Sequence, residues 1–171
     1  LIEKLIAAGA DPNAARWNGE TALMLASRAG SVEGVRLLLA KGAKVNAADV
    51  RKGQTALMWA AAEGHTAIVD LLLKSGADPK AVTKSGFTSL VFAAENGDAA
   101  SVRKLLDAGL EANYALPNGT TVLQIAVLSK KGDAAAALLD RGANVNVSDK
   151  NGVTPLHVAS QYGDIKLVRN L

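Results

Sequence analysis

The chain has no cysteine, two histidines, four prolines and only 4% aromatic residues over its 171 positions. Without thiols there is no disulfide frame, no thiolate metal site and no cysteine nucleophile, and the lack fits any compartment. The phosphate-binding P-loop, the HExxH pair, the dinucleotide-binding glycine fingerprint and the serine elbow are missing too. Acidic residues are scattered and never paired. No apolar run approaches the ~18 residues of a membrane span, and no basic segment followed by an apolar stretch opens the chain. Charge of one sign is also lacking: 19 basic against 16 acidic residues give +3, too mild to imply a nucleic-acid partner alone. These absences point to a chain without catalysis, cofactor or metal.

What is present is apolar and periodic. Hydrophobic residues make up 49% of the chain, mostly Ala, Leu and Val, which suits short helices packed at close range. Thr21, Thr55, Thr88, Thr121 and Thr154 are spaced 34, 33, 33 and 33 residues apart, and Gly9, Gly42, Gly76, Gly109 and Gly142 keep the same beat. Two markers in phase over the whole length predict a stacked array of about five repeats.

Each repeat reads as a pair of helices. The first opens at the threonine, a good N-terminal cap, and stops at Gly30, Gly64, Gly97 or Gly163, each suited to a positive φ. Ser31, Asp98 and Asp164 suit the cap of the second helix, whereas His65 and Lys131 do not. The second helix carries an apolar stripe, as at Ile68, Val69, Leu72 and Leu73, which buries one face. Asp70–Lys74 and Arg103–Asp107 are spaced for i, i+4 ion pairs on the other face. Turn signals such as Asn18-Gly19 and Asn151-Gly152 predict hairpin-like loops between repeats. The loop at Asp49-Val50-Arg51-Lys52 holds one extra residue and is expected to project differently. In the fourth repeat Lys130-Lys131 stands at the glycine break, and Ala134 to Ala137 replace Ile68 to Leu71. That predicts a thinner interface there and a longer turn before the helix.

Thr154-Pro155-Leu156-His157-Val158-Ala159, with Thr-Ala-Leu-Met-x-Ala at 21–26 and 55–60, resembles the opening hexad of the ankyrin repeat. The closings Gly9-Ala10-Asp11-Pro12-Asn13 and Gly142-Ala143-Asn144-Val145-Asn146 are similar to that family's as well. The resemblance covers all 171 residues. It implies an all-α ankyrin-repeat solenoid, a single domain over 1–171. Its approximate units are 1–14 (partial), 15–47, 48–81, 82–114, 115–147 and 148–171 (partial). Both ends fall within a second helix, so the chain reads as a piece of a longer array, with apolar faces exposed at Leu1, Ile2 and Leu5 and at Leu167, Val168 and Leu171. The resemblance also implies that His157 bonds loop backbone between repeats.

For function, the resemblance implies a protein-interaction module that binds a protein or peptide on its concave face. Carried onto this sequence, that face holds Trp17, Asn18, Glu20, Arg28, Arg51, Lys52, Gln54, Glu63, Lys84, Ser85, Phe87, Glu95, Asn118, Lys150 and Tyr162. Trp17 and Phe87 sit beside turn glycines where other repeats are polar or basic, and read as contact residues. Trp59 and Phe92 fill a slot that is apolar in every repeat, and read as core. One alternative is a polyanion binder using Arg16, Arg28, Arg51, Lys52, Lys84 and Lys150, but Glu20, Glu63 and Glu95 interrupt the positive field. Another is a spacer with no specific ligand. Asp149-Lys150-Asn151-Gly152 resembles part of a calcium loop but lacks the closing Glu, so a turn is expected.

Overall fold

The computed structural model describes residues 2–161. Over them the fold is an all-α solenoid built from helices α1 (Ile2–Ala7), α2 (Ala22–Arg28), α3 (Val32–Ala40), α4 (Ala56–Ala62), α5 (Thr66–Lys74), α6 (Ser89–Asn96), α7 (Ala99–Asp107), α8 (Val122–Leu128), α9 (Gly132–Leu139) and α10 (Pro155–Gln161). The even-numbered helices stack on one another in sequence, and the odd-numbered ones form a second layer behind them. The core lies between the layers: Leu23, Leu57, Leu90 and Leu123 face Val35, Val69, Val102 and the leucines at 38, 72, 105 and 138. No sheet forms among the described residues. The connecting loops carry isolated antiparallel bridges, Ala15–Thr21, Ala48–Thr55 and Ala115–Thr121.

The helix signals work locally. The hydroxyls of Thr21, Thr55, Thr88 and Thr121 accept from the amides of Met24, Met58, Val91 and Gln124. Ser31 and Asp98 cap α3 and α7, whereas His65 and Lys131 make no side-chain cap bond. Gly30 and Gly64 end α2 and α4 at φ 73° and 71°. Gly163 and Asp164 lie outside the described residues.

Two expectations are corrected. The turn before α9 is not longer: Lys130 itself takes the glycine's place with φ 57°, and α9 follows in register. The chain tolerates left-handed strain there and keeps the spacing. Nor does Arg103 pair along its helix with Asp107. Arg103 reaches Asp140, and Asp107 bonds Arg141, so both pairs join α7 to the end of α9. Asp70 pairs with Lys74 as expected, at 2.7 Å, and also with Lys104 of the next second-layer helix at 2.7 Å. The ammonium groups of Lys104 and Lys74 hold its carboxyl below the usual range. His157 Nδ1 contacts the backbone amide and hydroxyl of Thr154 at the start of its own helix, and the loop of a following repeat lies outside the described residues.

Bonds between repeats come from other residues. His65 Nε2 lies 3.1 Å from the carbonyl of Arg28, and Asn96 donates to the carbonyl of Ala62. Gln124 occupies the slot that His157 fills in its own repeat. It closes a capping box with Thr121 and donates to the carbonyl of Val153. The loops that follow the second-layer helices are tied by asparagines. Asn13 donates to the carbonyl of Gly42 and accepts from the amide of Lys44, Asn46 does the same with Gly76 and Asp78, and Asn113 with Gly142 and Asn144. Lys80 stands where the series would continue. At the N-terminal end α1 buries no residue, and Leu5 is 53% exposed. Leu1 and residues 162–171, including Leu167, Val168 and Leu171, lie outside the described residues.

Candidate functional site

The loop tips and the exposed side of the even-numbered helices form the face on which the contact residues are expected. Its loops are fixed by short side chains. Asp49 is buried and accepts from the amides of Arg51 and Lys52 through Oδ1 and of Gln54 through Oδ2. This carboxylate gathers the amides of the longer loop: Val50 is 60% exposed, its amide bonds the carbonyl of Asn18 as that of Lys84 bonds the carbonyl of Lys52, and Arg51 and Lys52 are exposed. In the next repeat Thr83 does the equivalent, its hydroxyl accepting from the amide of Phe87. Asp149 accepts from the amides of Asn151 and Val153, which is the turn expected there.

Two open depressions of about 250 Å³ each lie side by side on this face. One is lined by Lys52, Gln54, Thr83, Ser85, Phe87 and Phe92, and the other by Glu20, Asp49, Arg51, Lys52, Gln54 and Trp59. Lys52 and Gln54 are common to both and form the ridge between them. The phenylalanine rings lie 5.6 Å apart at 53°, in the tilted arrangement that aromatic pairs favour. Arg28 lies 4.8 Å above the Trp59 ring and pairs with Glu63 at 3.6 Å. The indole Nε1 of Trp59 is buried and has no hydrogen-bond partner.

The expected contact residues divide by exposure. Trp17 projects at 82% exposure, and Arg28, Arg51, Lys52, Glu63, Lys84, Ser85, Glu95, Asn118 and Lys150 are also at least partly exposed. Glu20, Gln54 and Phe87 are half-buried, and Glu20 is held by Arg16 at 3.0 Å. Asn18 is buried, and its carboxamide accepts from the amide of Glu20, so it shapes the turn and offers little surface. Asn118 acts similarly toward Thr120 but stays exposed. Lys84 donates through Nζ to the carbonyl of Val50. The depressions gather Glu20, Arg51, Lys52, Gln54, Ser85 and Phe87, whereas Trp17, Glu95, Asn118 and Lys150 lie outside them. Tyr162 lies outside the described residues.

The reading of Trp59 and Phe92 as core holds in part, since both pack against the core. Both are half-buried and form walls of the depressions. Their slot is one turn into the first helix, at its edge, so the ring leans on the core with one face and borders the groove with the other. Leu25 of the same slot is 40% exposed. The sequence signal is that the slot stays apolar but its size varies freely, unlike the neighbouring leucine slot. Among the described residues no group of three or more His, Asp or Glu side chains is placed to hold a metal ion.

A family model described as "Ankyrin repeats (3 copies)" matches residues 1–83 and again 84–171. No curated protein matches the chain.

Proposed function

The chain belongs to the ankyrin-repeat family, and from that premise we propose that it is a non-catalytic module binding a protein or peptide along the concave face. Ankyrin repeats are generally protein–protein interaction modules, and the family is generally non-catalytic. The observation that carries the reading is the pair of adjoining depressions walled by Trp59, Phe87 and Phe92 and edged by Arg51 and Lys52. Aromatic and arginine side chains partly sunk in a concavity are the usual anchors of an interface. Trp17 extends the same surface toward the N-terminal end as a free anchor. We read residues 1–171 as one domain with the unit divisions given above, since each helix pair packs on its neighbours. A polyanion site is disfavoured because Arg16 and Arg28 are already matched by Glu20 and Glu63. Among the described residues no helix is long and apolar enough to cross a membrane.

The test is a photo-crosslinkable residue placed at Ser85 in the groove and, separately, at Arg36 on the outer layer. Cross-links to one protein from Ser85, abolished by Trp17→Ala with an unchanged melting point, are the expected result. Cross-links from Arg36 alone would overturn the concave-face reading.

A further inference from the structure

The two depressions differ in chemistry. The Phe87–Phe92 depression is lined by those two rings together with Thr83, Ser85, Gln54 and Lys52, and more of its lining is apolar than in its neighbour. The Trp59 depression is polar and cationic at its rim. Asp49 spends its carboxylate on three backbone amides, and Glu20 is bound by Arg16. Arg51 and Lys52 have no ion pair among the described residues, and Lys84 bonds only a neutral carbonyl. This side of the face is therefore left with unneutralised positive charge beside an apolar hole.

The size of the holes restricts the occupant. At about 250 Å³, each falls below the ~300 Å³ at which small-molecule sites begin and is open along one side, as a seat for one side chain of a passing chain is. The rings of Trp59 and Phe92 belong to consecutive first-layer helices, which pack ~8–10 Å apart, so an extended strand covers the step in about three residues.

We propose that the groove takes an acidic, extended peptide whose one apolar side chain, Phe or Leu, fills the Phe87–Phe92 depression. An Asp or Glu about three residues away then meets Arg51 and Lys52. This rests on the concave-face reading above and names the chemistry of its partner. The apolar anchor supplies most of the affinity, and the carboxylate sets the register and speeds encounter. Binding weakens with salt, as a pair exposed to solvent does.

Selection of a displayed library of random peptides of about twelve residues, ample at 3.3 Å per residue, against the whole chain tests the idea. Enriched peptides are expected to share a Phe or Leu and an acidic residue at one fixed spacing. Arg51→Glu with Lys52→Glu, both on exposed side chains, should weaken such a peptide at least tenfold and turn a repeated selection toward Lys and Arg. Phe87→Ser should lose the apolar preference, and because Phe87 also touches the core, Ser85→Trp serves as a second way to close that depression. Enriched peptides lost with Ser85→Trp but carrying no acidic residue overturn the acidic-peptide assignment and leave the concave-face reading standing. Peptides insensitive to every groove substitution overturn both. A selection that enriches no peptide from this library overturns the extended-peptide assignment.

Discussion

The pairs α4–α5 and α8–α9 occupy equivalent places and are built to different standards. In α4–α5 the break is a glycine at φ 71°, and Ile68, Val69 and Leu72 are all fully buried. In α8–α9 a lysine holds the left-handed position, α9 starts with no side-chain cap, and Ala134, Ala135 and Leu138 take those three places. Yet the alanines are as fully buried as their larger counterparts, and the α9 backbone approaches α7 more closely than α5 does. The expected thinning is therefore smaller than a side-by-side reading with α5 suggests. The slot of Ile68 varies along the chain, holding Leu1, Gly34, Ser101, Ala134 and Leu167 in the other repeats, whereas the slot of Val69 is β-branched everywhere but at Ala135. The lesson is that contact can be kept with smaller side chains if the backbones close up, and that what α8–α9 gives up is mainly backbone comfort at its turn.

Truncation in the core tests that lesson most severely. Leu72→Ala is expected to cost about 3–4 kcal/mol in denaturant titration, and Leu138→Ala nearer ~2 kcal/mol, because its alanine neighbours leave less to lose contact with and the site collapses more readily. Equal losses would mean that close approach has not changed the packing around Leu138. The turn comes next. Lys130→Gly should raise stability by about 1 kcal/mol by relieving a left-handed non-glycine residue. Gly64→Ala should lower it by a similar amount or more, since the added Cβ would stand 2.7 Å from Asn96 Oδ1 at a positive φ. Amide exchange should be fastest, among interior helices, over residues 129–140, and Lys130→Gly should slow it selectively. Uniform protection across α4 to α9 would remove the contrast. Installing a cap, Lys131→Asp, is worth about 0.5–1 kcal/mol on the same scale.

The smallest effect is expected from Asp98, the cap that α9 lacks a counterpart for. Burial works to raise its pKa, but the hydroxyls of Ser101 and Thr66 and nearby backbone amides outweigh it and hold the carboxyl below its ordinary 3.8. A carboxyl lowered by folding stabilises the fold above its unfolded value, and the contribution fades as pH falls through the lower folded one. The difference in melting point between the chain and Asp98→Asn should therefore be present at neutral pH and shrink steadily below 3.8. A difference that does not change with pH would assign the loss to packing.

Much of the fold is readable from one repeat laid over the next. The threonine and glycine beats locate the helix starts and stops because caps and left-handed turns are decided within a few residues. Relations between repeats are not readable in that way. The i, i+4 spacing that points Arg103 to Asp107 is a property of one helix, whereas its bond to Asp140 depends on the rotation from one pair to the next. The groove walls at Trp59 and Phe92 look like core for the same reason: periodicity shows that a residue faces inward but not how far along the helix the neighbour's cover extends. His157 stands out by its motif, while Gln124, in the same slot, makes the link to the next loop. One trace of the links between repeats is legible all the same, since Asn13 and Asn46, and Asn113 and Asn146, repeat at 33 residues.

That asparagine series has a mechanical meaning. Each complete link is a double hydrogen bond at the far rim of the stack, and links in series carry equal load. At Lys80 the rim is unlatched, with a cleft of about 280 Å³ opening among Lys80, Val82, Leu110, Glu111 and Tyr114. The opposite rim of the same joint is riveted by Asp70 to Lys104 and by Thr66 to Asp98. The repeats are thus joined unevenly along the described stack: between α5 and α7 the asparagine link gives way to an ion pair and a hydroxyl–carboxylate bond between the second-layer helices.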